Sequence, residues 1–275
     1  VNRPQRLLSI AGSDPSGGAG VQGDLKTFAA FGCYGMAAIT ALTAQNTRGV
    51  KAVFPMTPEI VTRQIETLLE DVAPAAIKIG MVATPENAKA IARALGPEQR
   101  DVVVDPVMRP TQGLSLATAG LEAALMSELA PIARLLTPNL DEAAALTKTR
   151  RACSPEAMAD QARQLVALGA RAALVTGGDL EGAPVDALAA DGDIRFFAGR
   201  RIETRHTHGT GCALSAGIAA RLALGDSLID AIRNAKAWLE AALAAADALN
   251  VGDGRGPPHH FFELWGDGVR PQARP

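Results

Sequence analysis

The sequence predicts an α/β fold in which a mostly parallel sheet carries helices on both faces. Three observations predict it. Short apolar runs rich in branched residues alternate with longer segments of helical period, the pattern of repeated strand–helix–strand units. The run "DVVVDPV" (101–107) keeps three valines together without a polar interruption, as a strand buried on both faces does. The 275 residues, 48% of them hydrophobic, suffice to fill a large core.

In chain order, "LLSIA" (7–11) reads as the first strand, followed by a helix from about Ala19 to Phe31. "YGMAAITAL" (34–42) is the next strand, and "PEIVTRQIETLLEDV" (58–72) a helix with Ile60, Ile65, Leu68 and Leu69 on its apolar face. "AIKIG" (76–80) precedes a helix opened by Thr84-Pro85, an N-cap followed by proline at the first helical position. After 101–107 come the strands "RLLTPN" (134–139) and "AALVTGG" (172–178). The runs 186–190 and 194–198 read as an antiparallel hairpin turned by Gly192-Asp193 after Asp191. No linker, repeat or low-complexity stretch interrupts the series, so one domain over residues 1–265 is expected, with 266–275 as a loose tail.

Several function classes are disfavoured. A net charge of −2 with both signs interspersed supplies no basic surface for nucleic acid or acidic membranes. Aromatics at 4% make no stacking platform for single strands. No apolar run reaches the ~18 residues of a membrane span, and the start does not read as a signal peptide. The three cysteines, Cys33, Cys153 and Cys212, are far apart and in no metal-like spacing, which fits a reducing cytoplasm.

In such a sheet ligands bind beyond the carboxyl ends of the strands. That rule selects Gly12-Ser13-Asp14, Gln45-Asn46, Gly80-Met81, Asp105-Pro106, Thr137-Pro138-Asn139 and Thr176-Gly177-Gly178. "GAGVQG" (18–23) matches the dinucleotide fingerprint, but the acidic residue expected some 20 residues on is missing, so its glycines read as a strand-to-helix turn. Asp24 on that helix either complements the helix dipole or meets a ligand. Asp105, ending the most apolar strand, caps a loop or serves a magnesium-nucleotide. Asn139 and Glu142, three apart at a helix start, form a capping box or offer hard oxygens to magnesium.

"HTHGTGC" (206–212) is the sharpest signal. Backbone donors of a glycine-rich turn at a helix N-terminus would hold a transferring phosphoryl group, and Cys212 there should have its pKa lowered. His208 offers charge, whereas His206 reads as a satisfied surface histidine. Together these features describe a magnesium-nucleotide site facing an uncharged small-molecule pocket.

The stretches "LLSIAGSDPSGGAGVQGDLKTFAAFGCYGMAAITALTAQNTRGV", "KIGM", "VVVDPVM", "LLTPNLDEAAAL", "THGTGC" and "GPPHHFF" resemble the hydroxymethylpyrimidine/phosphomethylpyrimidine kinases of thiamine biosynthesis. The resemblance covers nearly the whole chain and implies a ribokinase-like three-layer α/β/α sandwich. It implies ATP as co-substrate with Mg2+, and phosphorylation of 4-amino-5-hydroxymethyl-2-methylpyrimidine and then of its monophosphate. Cys212 is then the catalytic residue. Gln45, Asp24, Gly12, Met81 and Val107 bind the pyrimidine, and Gly209, Thr210, Gly211, Thr176 and Gly178 form the anion hole and nucleotide loop. Asp105, Arg109 and His208 attend the phosphate and flap, and Asn139 and Glu142 the magnesium. Relatives often carry lysine and histidine where this chain has Thr176 and Asp179. A pyridoxal kinase of the same group and a non-catalytic pyrimidine sensor are the alternative readings. A homodimer is plausible by the same likeness.

Overall fold

The computed structural model describes residues 3–97, 100–108 and 118–265. Among the described residues nine strands form one sheet in the order β3-β2-β1-β4-β5-β6-β7-β8-β9. These are β1 (Arg6–Ser13), β2 (Tyr34–Asn46), β3 (Gly49–Pro55), β4 (Ala76–Ile79) and β5 (Asp101–Val104), then β6 (Leu135–Leu136), β7 (Ala172–Val175), β8 (Val185–Ala190) and β9 (Asp193–Ala198). The pairs from β2 through β7 are parallel, and β3, β8 and β9 add antiparallel edges. The chain runs from β1 outward to β2 and β3, then returns to place β4 on the other side of β1. That reversal opens a crevice beyond the carboxyl ends of β1 and β4.

Alternation along the strands sorts the core into two layers. Leu8, Ile10, Ile77, Ile79, Val102 and Val104 face one side. There they meet α2 (Pro58–Leu69), α3 (Pro85–Leu95), α5 (Leu140–Thr147) and α6 (Pro155–Ala167). Between α3 and α5 the short α4 (Leu121–Ala124) continues into a wide-turned segment, Leu125–Leu129. Leu7, Val103, Leu135 and Leu174 face the other side, against α1 (Gly20–Ala30), α7 (Thr210–Ala223) and α8 (Leu228–Ala244).

Thr84 caps α3 by accepting from the Asn87 N–H, with Pro85 as its first residue. Three readings need correction. In α2 the residue that packs beside Ile65 is Val61, fully buried, while Ile60 is exposed. Val61, Ile65 and Leu68 keep the 4-then-3 spacing of one helical face, and Ile60 falls off it. The β8–β9 turn is centred on Asp191-Gly192, both at positive φ, one residue earlier than expected. Strand β3 was not anticipated; it pairs with an extension of β2 that runs to Asn46. The expected tail, 266–275, lies outside the described residues. No helix among the described residues is long and apolar enough to cross a membrane.

Candidate active site

A cavity lies along the carboxyl ends of the parallel strands, and each strand delivers a short polar segment to it. β1 contributes Gly12, Ser13 and Asp14; β2 contributes Thr43 and Gln45; the loops after β4 and β5 contribute Met81, Asp105 and Val107. Thr137, Asn139 and Glu142 follow β6, and Thr176, Gly178 and Asp179 follow β7. The loop into α7 closes it with Thr207 to Cys212, and Arg255 arrives from the C-terminal segment.

Asp14 organises the loop "SDPSGGAG" by collecting donors. Its Oδ1 accepts from the Ser16 N–H at 2.8 Å and the Ser16 hydroxyl at 2.7 Å, and its Oδ2 from the Gly18 and Ala19 N–H groups. His208 Nε2 stands 2.7 Å from the same Oδ2, tying this loop to the one before α7. Burial works against the charge, but the His208 and Ser16 hydrogen bonds outweigh it and hold the carboxyl below its usual value. The glycines allow the two loops to touch: a Cβ on Gly209 would stand 2.0 Å from the Gly18 carbonyl oxygen, and Gly209 has φ +79°.

Gly209 caps α7 without a side chain. Ala213 N–H donates to the Gly209 carbonyl, whereas no acceptor among the described residues serves the Gly211 and Cys212 N–H groups. These two donors and the helix dipole converge on the cavity, an arrangement that holds an anion or a developing negative charge.

The Cys212 thiol departs from expectation. Burial pushes its pKa up to about 12, with Lys78 opposing and Asp105 and Asp24 reinforcing the rise. The helix terminus favours a thiolate, but loss of water and two nearby carboxylates favour the thiol more. Asp105, 4% exposed, is raised by burial against the pull of Lys78; the Ser215 hydroxyl at 3.2 Å and the Cys212 thiol favour its charged form.

Asp24 does not line the cavity. It lies beneath, fully buried, where Lys78 Nζ approaches both carboxylate oxygens at 3.0 Å and the Ser9 hydroxyl donates to Oδ2 at 2.6 Å. Residues 9 and 78 point to the α1–α7 side of the sheet, so the pair is sealed between sheet and helix. Burial raises Asp24 while Lys78 and Ser9 oppose it; converging donors keep it a carboxylate. Burial works against the Lys78 charge, but Asp24 outweighs it and raises Lys78 above its usual value.

Asn139 and Glu142 form the capping box of α5. Asn139 Oδ1 accepts from the Asp141 and Glu142 N–H groups, and Glu142 Oε2 accepts from the Asn139 N–H at 2.9 Å. The capping box is present, and the same two residues also line the cavity. Burial and then the neighbouring Asp105 push Glu142 up to about 8, with the Asn139 and Met108 N–H groups opposing. Two buried carboxylates, Glu142 raised by burial and by Asp105, fit a divalent cation between protein and ligand. The described residues hold no cluster of three or more His, Cys, Asp or Glu that could cage a metal. Magnesium suits this arrangement, since it takes one or two side-chain oxygens and completes its shell with phosphates and water.

At the other end Arg201 donates to the carbonyls of Gly178, Leu180 and Gly182, fixing the loop that follows Thr176. His206 is buried rather than on the surface, its Nε2 3.3 Å from Asp247, and lies outside the cavity. Arg109 falls outside the described residues. Sequence reasoning overlooked Lys78, Asp14 as the hub of its loop, and Arg255. The one local hint of Arg255 was the alternation Gly252, Gly254, Gly256 around it.

A family model described as phosphomethylpyrimidine kinase matches residues 14–259. A hydroxymethylpyrimidine/phosphomethylpyrimidine kinase of Rhizobium meliloti (strain 1021) is 52% identical over 262 residues, covering 94% of this chain and 98% of the relative. Among solved structures, phosphomethylpyrimidine kinase from Clostridium difficile 630 is 38% identical with a TM-score of 0.76, covering 87% and 99% of the two chains. Pyridoxal kinase from Staphylococcus aureus, in complex with AMP-PCP and pyridoxal, is 32% identical with a TM-score of 0.85 and covers 94% of each chain.

Proposed function

The chain belongs to the phosphomethylpyrimidine kinase family, and from that premise we propose that it phosphorylates 4-amino-5-hydroxymethyl-2-methylpyrimidine and then the resulting monophosphate, with ATP as donor. The observation that carries this reading is the pair of unserved N–H groups on Gly211 and Cys212, lining one cavity with Asp105 and Glu142. Phosphoryl transfer asks mainly for positioning and electrostatics, and this geometry supplies both.

Gln45, Met81 and Val107 hold the pyrimidine, the amide reading its polar edge and the apolar side chains its faces. The N–H groups of Gly211 and Cys212 meet the charge that develops on the phosphoryl oxygens. Thr176 and Gly178 border the nucleotide. Asn139 and Glu142 hold Mg2+, which when bound neutralises phosphate charge. In the first step the acceptor O–H bond breaks as its oxygen bonds phosphorus and ADP leaves. Cys212, a thiol at neutral pH, takes the hydroxyl proton as its own S–H proton moves to the Asp105 carboxylate, and so ends the step a thiol again. The second acceptor is already an anion, so it makes little demand on this pair.

We further place the enzyme in the cytoplasm as a homodimer. Three unpaired cysteines support the first. The exposed cross-strand pair Leu42–Phe54 on the β2–β3 edge supports the second.

The test incubates the protein with magnesium-ATP and equal hydroxymethylpyrimidine and pyridoxal, and follows products by mass. Pyrimidine monophosphate followed by diphosphate is the expected result. Pyridoxal phosphate alone would transfer the assignment to pyridoxal kinase, and no product from folded protein would leave a sensor.

A further inference from the structure

We propose that Arg255 forms an anion subsite at the acceptor end of the cavity that recognises a phosphomonoester, and so distinguishes the second acceptor from the uncharged first. The inference rests on the two-step reading above and adds a residue that the reaction itself does not require.

The backbone around Arg255 is pinned on both sides. Gly254 N–H donates to the Thr47 hydroxyl at 3.2 Å and Arg255 N–H to the Thr47 carbonyl at 2.8 Å. One residue on, the Gly256 carbonyl accepts from the His208 N–H at 3.0 Å. The segment therefore straps the β2–β3 turn to the loop that enters α7, the two walls of the acceptor end. The strap has no room for larger residues: a Cβ on Gly254 would stand 2.0 Å from the Thr47 oxygen, and one on Gly256 2.3 Å from His206 Nδ1.

The side chain is left uncommitted by contrast. Arg255 lines the cavity and is exposed, and its guanidinium makes no hydrogen bond or ion pair among the described residues. Nearby donors among the described residues are occupied. His208 Nε2 is on Asp14, Lys26 Nζ is on the Gly17 carbonyl, Lys78 is sealed beneath the floor, and Arg48 pairs with Asp253. Nor does a carboxylate claim Arg255, because Asp14 is saturated by Ser16, Gly18, Ala19 and His208. A guanidinium on a pinned backbone, without a partner among the described residues and lining the mouth of a site that takes a phosphorylated acceptor, has the planar donor fork that phosphate prefers.

The experiment measures KM and kcat separately for hydroxymethylpyrimidine and for its monophosphate in wild type, Arg255→Ala and Arg255→Lys. Loss of a charge-assisted hydrogen bond predicts that Arg255→Ala lowers kcat/KM for the monophosphate about tenfold or more, through KM. The alcohol should stay within about twofold, because a neutral acceptor offers that charge no partner. Monophosphate should then accumulate in the coupled reaction. Arg255→Lys should recover part of the loss, and the wild-type preference should shrink with added salt. Equal losses for both acceptors, or no loss for the monophosphate, would overturn the subsite while leaving the kinase reading intact. A wild type that turns over neither acceptor would refute the kinase reading itself, and the subsite with it.

Discussion

Beneath Cys212 the cavity floor keeps Asp24, Lys78 and Asp105 out of solvent, whereas at its mouth Gln45, His208 and Arg255 stand partly open to it. The floor is built from α1, β4 and the residue that follows β5, whose charges answer one another inside the protein. The mouth is assembled from the β1, β2 and α7 loops and the C-terminal strap, and it leaves donors without protein partners. Buried charges must be paired and so carry fixed electrostatics for the proton and the phosphoryl group. Half-exposed polar groups can trade water for a ligand and so carry selectivity. Changes in the floor should therefore cost turnover or folding, and changes at the mouth should move KM for one acceptor at a time.

The largest effect is expected at the thiol–carboxyl pair. Asp105→Asn should lower turnover of the alcohol by about 10²–10⁴-fold, the range for losing a proton acceptor. Cys212→Ala should lower the first phosphorylation much more than the second, each measured with its own acceptor. Equal losses in both steps would remove the relay and leave Cys212 as packing. Next in size is Lys78→Met, which strands the Asp24 carboxylate and should cost about 3–5 kcal/mol in denaturant unfolding. Lys78→Met with Asp24→Leu should recover much of that stability. A recovered fold without recovered turnover would show that the buried charge serves the chemistry above it.

The floor and the mouth also differ in how much of them could be read in the sequence. The strands other than β3, the Thr84-Pro85 cap and the Asn139–Glu142 box were legible because each rests on neighbours within a few positions. The Lys78–Asp24 pair joins residues 54 apart, and Lys78 within "AIKIG" looks like any strand residue. Cys212 was misjudged for the same reason. Its helix terminus is local and visible, whereas Asp105 and the covering layers that hold the thiol protonated are tertiary. Of the strand read at 134–139 only Leu135–Leu136 pairs as β6, and Thr137 and Asn139 beyond it line the site. Arg255 sits among glycines whose purpose appears only when Thr47 and His206 come against them.

Acidification should separate the two regions further. His260 belongs to the strap segment, and burial, with Lys26 and His259 adding, lowers its pKa to about 4. An unfolded histidine titrates near 6.5, so between about 4 and 6.5 the unfolded chain takes up the proton first. Stability from this group is present above that window and is lost as pH falls through it, by up to about 3 kcal/mol. His260→Gln should flatten the fall in unfolding midpoint between pH 7 and 4.5. An unchanged slope would mean that carboxylates elsewhere dominate the acid response.

The smallest effect concerns how Gln45 is turned. Its Nε2 lies 3.2 Å from His208 Nε2, and its Oε1 lies 3.2 Å from the Thr43 hydroxyl. His208 Nε2 is also 2.7 Å from a carboxylate oxygen of Asp14, so that nitrogen carries a proton and cannot accept one from an amide. Thr43 has one hydroxyl proton, and it goes to the Ser13 carbonyl at 2.9 Å. Turned by half a revolution, the amide donates to the Thr43 hydroxyl and no longer sets an N–H against the His208 N–H, whose one hydrogen Asp14 holds. Gln45 lines the cavity, where an amide offers both a donor and an acceptor to the edge of an aminopyrimidine. Gln45→Leu should raise KM for hydroxymethylpyrimidine roughly tenfold, the worth of one or two neutral hydrogen bonds, while kcat changes little. Pyridoxal, lacking the amino group, should be affected less, so the ratio of the two KM values is the sharper readout. A parallel rise for both would mean that Gln45 shapes the mouth without reading the ring.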